Sequence, residues 1–126
     1  MSTPIGPYRP IVRAGPWLVT SGQLGLVAAP DGDGPPDPPA LVEGGARAQL
    51  TQALVNAGRL LADHGARPEH VVKTTVFVTD MDAYAAVNEV YVGFFGDHRP
   101  ARSVVGVAGL PMGAAVEVEL WAYLDR

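Results

Sequence analysis

The chain contains no cysteine, which excludes disulfides, thiolate nucleophiles and thiolate-held zinc or iron–sulfur centres. Basic residues are few: 9 Lys and Arg against 13 Asp and Glu give a net charge of -4 and an isoelectric point near 5.2. Phosphate backbones are gripped by clustered cations, so nucleic acid is disfavoured as a partner. The 3 histidines, His64, His70 and His98, lack metal-ligand spacing and fall near the ends of expected elements, so no metal and no cofactor is expected. No apolar run reaches the roughly 18 residues of a membrane helix, and "MSTPIGPYRP" lacks the basic-then-apolar order of an export signal. A cytoplasmic protein without a membrane partner is the default expectation.

Glycine and proline are plentiful, at 15 and 12 residues, and their clusters punctuate the chain. With 126 residues and 48% hydrophobic content, a single domain over 1–126 with one core is expected. Residues 11–13 and 17–21 flank Gly15-Pro16 and read as a hairpin. "VAAPDGDGPPDPPA", residues 27–40, reads as an exposed loop, and its Asp31, Asp33 and Asp37 do not form a calcium loop, because Pro35 sits at a ligand position and no helices flank it. Leu50, Leu54, Ala57 and Leu61 recur at helical spacing within an expected helix over about 42–64. The β-branched stretch 70–80 predicts a strand. Tyr84, Val87, Tyr91, Phe94 and Phe95 predict a second helix, capped by Asp80 and stopped at Gly96. Strands over 102–108 and 116–124 close the chain, an order that reads as α/β or α+β with a mixed sheet and not as a Rossmann fold.

Residues 102–108 are apolar at both parities, as in a sheet covered on both faces. Two helices cover only one face, so the other predicts a homo-oligomer.

Arg102 opens the otherwise uncharged run "RSVVGVAG", and a guanidinium in such a run needs an anion. In "VEVELWAYL" the acids Glu117 and Glu119 share one face. A hairpin turn between Leu110 and Pro111 would set Arg102 opposite Glu119 and diagonal to Glu117. Spacing alone favours a cross-strand ion pair; the alternative is that Arg102 holds a substrate carboxylate while one glutamate handles water. Tyr8 and Ser21 offer hydroxyls, though singly each fits packing or a turn. The glycines Gly106, Gly109 and Gly113 form no phosphate-cradling pattern.

The pieces "IGPY" at 5–8, "TSGQ" at 20–23, "VVKTTVFVTDM" at 71–81, "VNEVY" at 87–91, "PARSVVGVAGLP" at 100–111 and "VEVE" at 116–119 span most of the chain in order. Together they resemble the Rid family of reactive-intermediate imine deaminases, also called YjgF-like proteins. The resemblance implies a chorismate-mutase-like α+β fold with two helices on one sheet face, assembled as a homotrimer around a central barrel with clefts between subunits. It implies hydrolysis of 2-aminoacrylate-type imino and enamine acids to 2-oxo acids and ammonia, without cofactor. It places Arg102 at the carboxylate-binding position, Glu117 at the water-orienting position, and Tyr8, Ser21, Gly22 and Asn88 along the cleft. In the mechanism so implied, Tyr8 or water relays the proton to nitrogen. Two positions depart from the pattern: Val104 stands where some members carry cysteine, and Arg9-Pro10 follows Tyr8 in place of smaller or amide residues. The rival reading is a non-catalytic sensor that holds a 2-oxo acid through the same arginine; a nuclease, also claimed for the family, fits the acidic composition least.

Overall fold

The computed structural model describes residues 6–27 and 38–125. Positive φ at Gly15 supplies the turn that joins β1 (Ile11–Ala14) to β2 (Trp17–Thr20) in an antiparallel hairpin. A two-residue strand, β3 (Gln23–Leu24), follows almost at once; the expected turn at "SGQ" hid it. Next come α1 (Gly45–Asp63), β4 (Val71–Val78), α2 (Tyr84–Phe95), β5 (Ala101–Gly106) and β6 (Val116–Tyr123). The fold is α+β, as expected, and both helices pack on one face of a six-stranded mixed sheet.

Periodicity explains the packing. On α1, Leu50, Ala53, Leu54, Ala57, Leu60 and Leu61 form the buried stripe, and on α2 the buried positions are Val87, Tyr91 and Phe95. They meet every second residue of the central strands: Val76 and Val78 of β4, and Val116, Val118, Leu120 and Ala122 of β6. Truncating one of these fully buried leucines removes apolar contact and leaves a cavity, a loss of about 2–5 kcal/mol.

Several boundaries differ from expectation for physical reasons. α1 starts at Gly45 because Gly44 and Gly45 take positive φ values of 118° and 73°, which break a right-handed helix; just before them the Val42 N–H donates to the Gly25 carbonyl at 2.9 Å. Asp80 caps a short 3-10 turn, Met81–Ala83, by accepting from the Asp82 N–H at 2.9 Å, and that turn leads into α2. The expected loop lies mostly outside the described residues; at its base Leu26 pairs with Leu41, and the Val27 N–H reaches the Ala40 carbonyl at 2.7 Å.

The strand order is β1-β2-β6-β4-β5, with β3 also beside β6. This overturns the hairpin expected between β5 and β6. β4 lies between them, parallel to β5 and antiparallel to β6. Residues 107–115 cross the end of β4, tied to it by Val107 N–H to Val78 carbonyl at 2.8 Å and Thr79 N–H to Ala115 carbonyl at 3.2 Å. Within that crossing Met112 takes a positive φ of 61°, so the glycines and proline make a bridge and not a tight reversal.

The sheet face away from the helices carries no covering element among the described residues. Trp17 meets Trp121 and Tyr123 there edge-on, at ring separations of 6.0 and 5.1 Å. Val12, Val105, Trp121 and Tyr123 are each at least 40% exposed.

Candidate active site

The register decides where Arg102 points. In the parallel β4–β5 pair it sits beside Thr74, which is fully buried on the helix face, so Arg102 projects to that same face from an edge strand. The guanidinium lies 4.8 Å from the Tyr91 ring centre and 5.5 Å from that of Tyr84, and its Nη2 donates to the Tyr84 hydroxyl at 3.2 Å. Tyr91 is fixed in turn by a hydrogen bond with the Thr74 hydroxyl at 2.9 Å. Burial raises the Tyr91 phenol above its ordinary value, against the lowering effects of the Thr74 bond and the Arg102 charge, so it stays neutral at physiological pH. Among the described residues no carboxylate stands within ion-pair distance of Arg102; the ion pairs there are Arg47–Glu89 and Arg67–Glu69.

Sequence reasoning named Tyr84 and Tyr91 only as markers of the helix. With Asn88 they fall at i, i+4 and i+7, which puts all three on one side of α2, and that spacing was the available signal. Asn88 is half-buried there.

Glu117 projects the other way. In the antiparallel β4–β6 pair it faces Phe77, one residue out of phase with buried Val76 and Val78, and so lies on the uncovered face with Glu119. The proximity inferred from a β5–β6 hairpin is therefore corrected: Arg102 and Glu117 occupy opposite faces of the sheet, on strands separated by β4. A direct ion pair between them within one chain is excluded by that alternation.

What does gather at Glu117 is Gly22. A Cβ at Gly22 would stand 2.5 Å from the Glu117 Oε2, so glycine lets the chain pass close to the carboxylate, and a larger residue would displace the Glu117 side chain from this position. The approach arises because the register against β6 slips by one residue between β2 and β3, with the Leu120 N–H satisfied by the Thr20 hydroxyl at 2.9 Å. Ser21 lies in the same slip; its hydroxyl donates to the Arg9 carbonyl at 2.6 Å and its N–H to the Pro10 carbonyl at 2.8 Å, anchoring the segment that carries Tyr8. Tyr8 itself is 43% exposed. Burial pushes the Glu117 carboxyl above the usual carboxylate range, and the adjacent Glu119 charge pushes it the same way.

The six sequence-selected residues thus fall into two groups. Arg102 and Asn88 lie on the helix side at the β5 edge, and Gly22 and Glu117 meet at the β3–β6 contact, with Ser21 and the Tyr8 segment adjoining. The groove between the helices, lined by Thr51, Leu54, Val55, Val90, Gly93 and Phe94, offers no titratable group. Among the described residues no group of three or more His, Asp or Glu is placed to hold a metal.

Comparison with known proteins points to one family from three directions. Residues 1–124 match the family described as Endoribonuclease L-PSP. A RutC family protein of Synechocystis is 40% identical over 125 residues, covering 96% of this chain and 88% of the relative. The mouse 2-iminobutanoate/2-iminopropanoate deaminase is 40% identical over 115 residues, covering 91% and 79%. The crystal structure of RidA from an Antarctic Psychrobacter superposes with a TM-score of 0.86 at 34% identity, covering 98% of this chain and 93% of that one.

Proposed function

We propose, from the premise that this chain belongs to the Endoribonuclease L-PSP (YjgF/Rid) family, that it hydrolyses small 2-imino and enamine acids to 2-oxo acids and ammonia. One observation carries the reading. A permanently charged guanidinium is clamped by two aromatic rings on an edge strand, with no carboxylate partner among the described residues. Fixing a cation in this way prepares a planar fork for an incoming carboxylate.

The reaction needs little more than positioning. Water adds to C2 of the imine, the carbinolamine loses ammonia, and the C2 oxygen of the 2-oxo acid comes from that water. Arg102 holds the carboxylate, Glu117 orients or deprotonates the water, and Tyr8 or a water relays a proton to nitrogen. A carboxyl whose proton affinity burial has raised suits that exchange. Because such imines hydrolyse unaided, a barrier reduction of a few kcal/mol, about a hundredfold or more in rate, is sufficient.

Arg102 and Glu117 lie on opposite sheet faces, so the reading requires that a cleft be completed by a second copy of the chain, with the arginine of one subunit and the glutamate of the next. The apolar sheet face, uncovered among the described residues, supports such an assembly, and we infer a homotrimer acting in the cytoplasm. The same separation favours a second reading for the isolated chain, binding of a 2-oxo acid without turnover. RNA cleavage has less support, because a net charge of -4 suits a polyanion poorly.

The test generates 2-aminoacrylate with an amino-acid dehydratase and follows 2-oxo acid release, with semicarbazide trapping as the measure of free imine. Wild type should shorten the imine lifetime. Arg102→Lys keeps the charge but not the fork, and should lose turnover by about a hundredfold while the protein stays folded. Near-normal hydrolysis by a folded Arg102→Lys variant would overturn the assignment.

A further inference from the structure

We propose that Tyr84 is a second recognition residue for the substrate carboxylate, an inference that rests on Arg102 being the anion anchor. The Tyr84 oxygen accepts from Arg102 Nη2 at 3.2 Å, and a phenol that accepts with its lone pair keeps its own O–H free to donate. That O–H turns away from the guanidinium and is free to meet an anion seated beside it. The side chain is 43% exposed, so the hydroxyl is reachable from solvent.

Geometry limits what else the hydroxyl can do. The Tyr91 ring covers one side of the guanidinium at 4.8 Å and is itself locked to Thr74, so the cation cannot swing away from Tyr84 without losing that cover. Of the five guanidinium N–H groups, one goes to Tyr84 and two suffice for a bidentate carboxylate. A carboxylate oxygen seated on the Nη2 side lies next to the phenol and receives a third hydrogen bond. Tyr84 thereby favours a planar carboxylate over an isosteric amide, whose NH2 presents a donor where an acceptor is needed.

Tyr84→Phe removes the hydroxyl and keeps the ring. Affinity for pyruvate, measured by calorimetry, should fall about tenfold, and KM for the imine should rise by a similar factor with kcat within about twofold. Wild type should prefer pyruvate to pyruvamide, and the variant should lose about a tenfold share of that preference while melting at the same temperature. Unchanged pyruvate affinity in the folded variant, or a fall in kcat at constant KM, would overturn the proposal. The binding arm needs no turnover. If wild type binds pyruvate but does not hydrolyse imine, the deaminase reading fails and the role of Tyr84 is still decided by the variant.

Discussion

Glu117 shows how one side chain couples stability to pH. Its folded-state pKa lies above the ordinary value, through burial first and the Glu119 charge second. The native state therefore binds this proton more readily than the unfolded chain, so stability is greatest below the usual carboxylate range and falls as pH rises through the raised value. Glu117→Gln carries no charge to desolvate. Its melting temperature should exceed that of wild type at about pH 8, and the gap should close by about pH 3, where both carry a neutral group. A gap of equal size at both pH values would mean that the substitution acts through packing. That Glu117 and Arg102 each need a partner or a role was legible in the sequence, as a charge in an apolar run and an acid in an alternating strand. Their separation was not. It depends on which strand each one neighbours, and no residue at either position records that.

At the scale of elements, local pattern was a good guide and pairing was a poor one. The leucine stripe of α1 and the β-branched run of β4 announce themselves, since each buries a face at its own period. The β5–β6 relation failed because Gly109, Pro111 and Gly113 suit a crossing as well as they suit a turn, and only the placement of β4 distinguishes the two. β3 escaped notice because its two residues exist by virtue of tertiary contact. There Gly25 lies against α1, where an added Cβ would stand 2.4 Å from the Gln49 carbonyl oxygen and 2.6 Å from its Cα. Asn56 of the same helix donates to the Leu26 carbonyl at 3.1 Å, and the Gln49 side chain accepts the Ala115 N–H at 2.8 Å. Backbone cannot step aside as a flexible side chain can. Gly25→Ala should therefore destabilise by about 1–3 kcal/mol, read as a lower denaturant midpoint at unchanged slope. A midpoint equal to wild type would show that α1 moves freely relative to β3.

For the whole molecule the decisive feature is that the two halves of the proposed site face apart. Trp17, Trp121 and Tyr123 pave a sheet face that no described element covers, and stacking such faces around an axis would bury them while bringing edges of neighbouring copies together. The uncovered face was legible from the two-helix count, and the resemblance implied clefts between subunits, but the opposite facing of Arg102 and Glu117 was not legible, since the expected hairpin brought them together in one chain. Sharing has a numerical consequence. Let Arg102→Lys and Glu117→Gln subunits, each inactive alone, be unfolded together in equal amounts and refolded. A site is intact only where the contributor of arginine carries Glu117→Gln and the contributor of glutamate carries Arg102→Lys, which random assortment produces at about a quarter of interfaces in any ring. The mixture should thus recover about a quarter of wild-type imine hydrolysis, whereas a site built within one chain would recover none. Light scattering on the same sample should report a trimer mass at micromolar concentration. An inactive mixture that nevertheless exchanges subunits would exclude the shared cleft, and with it the pairing of Arg102 and Glu117 in one reaction.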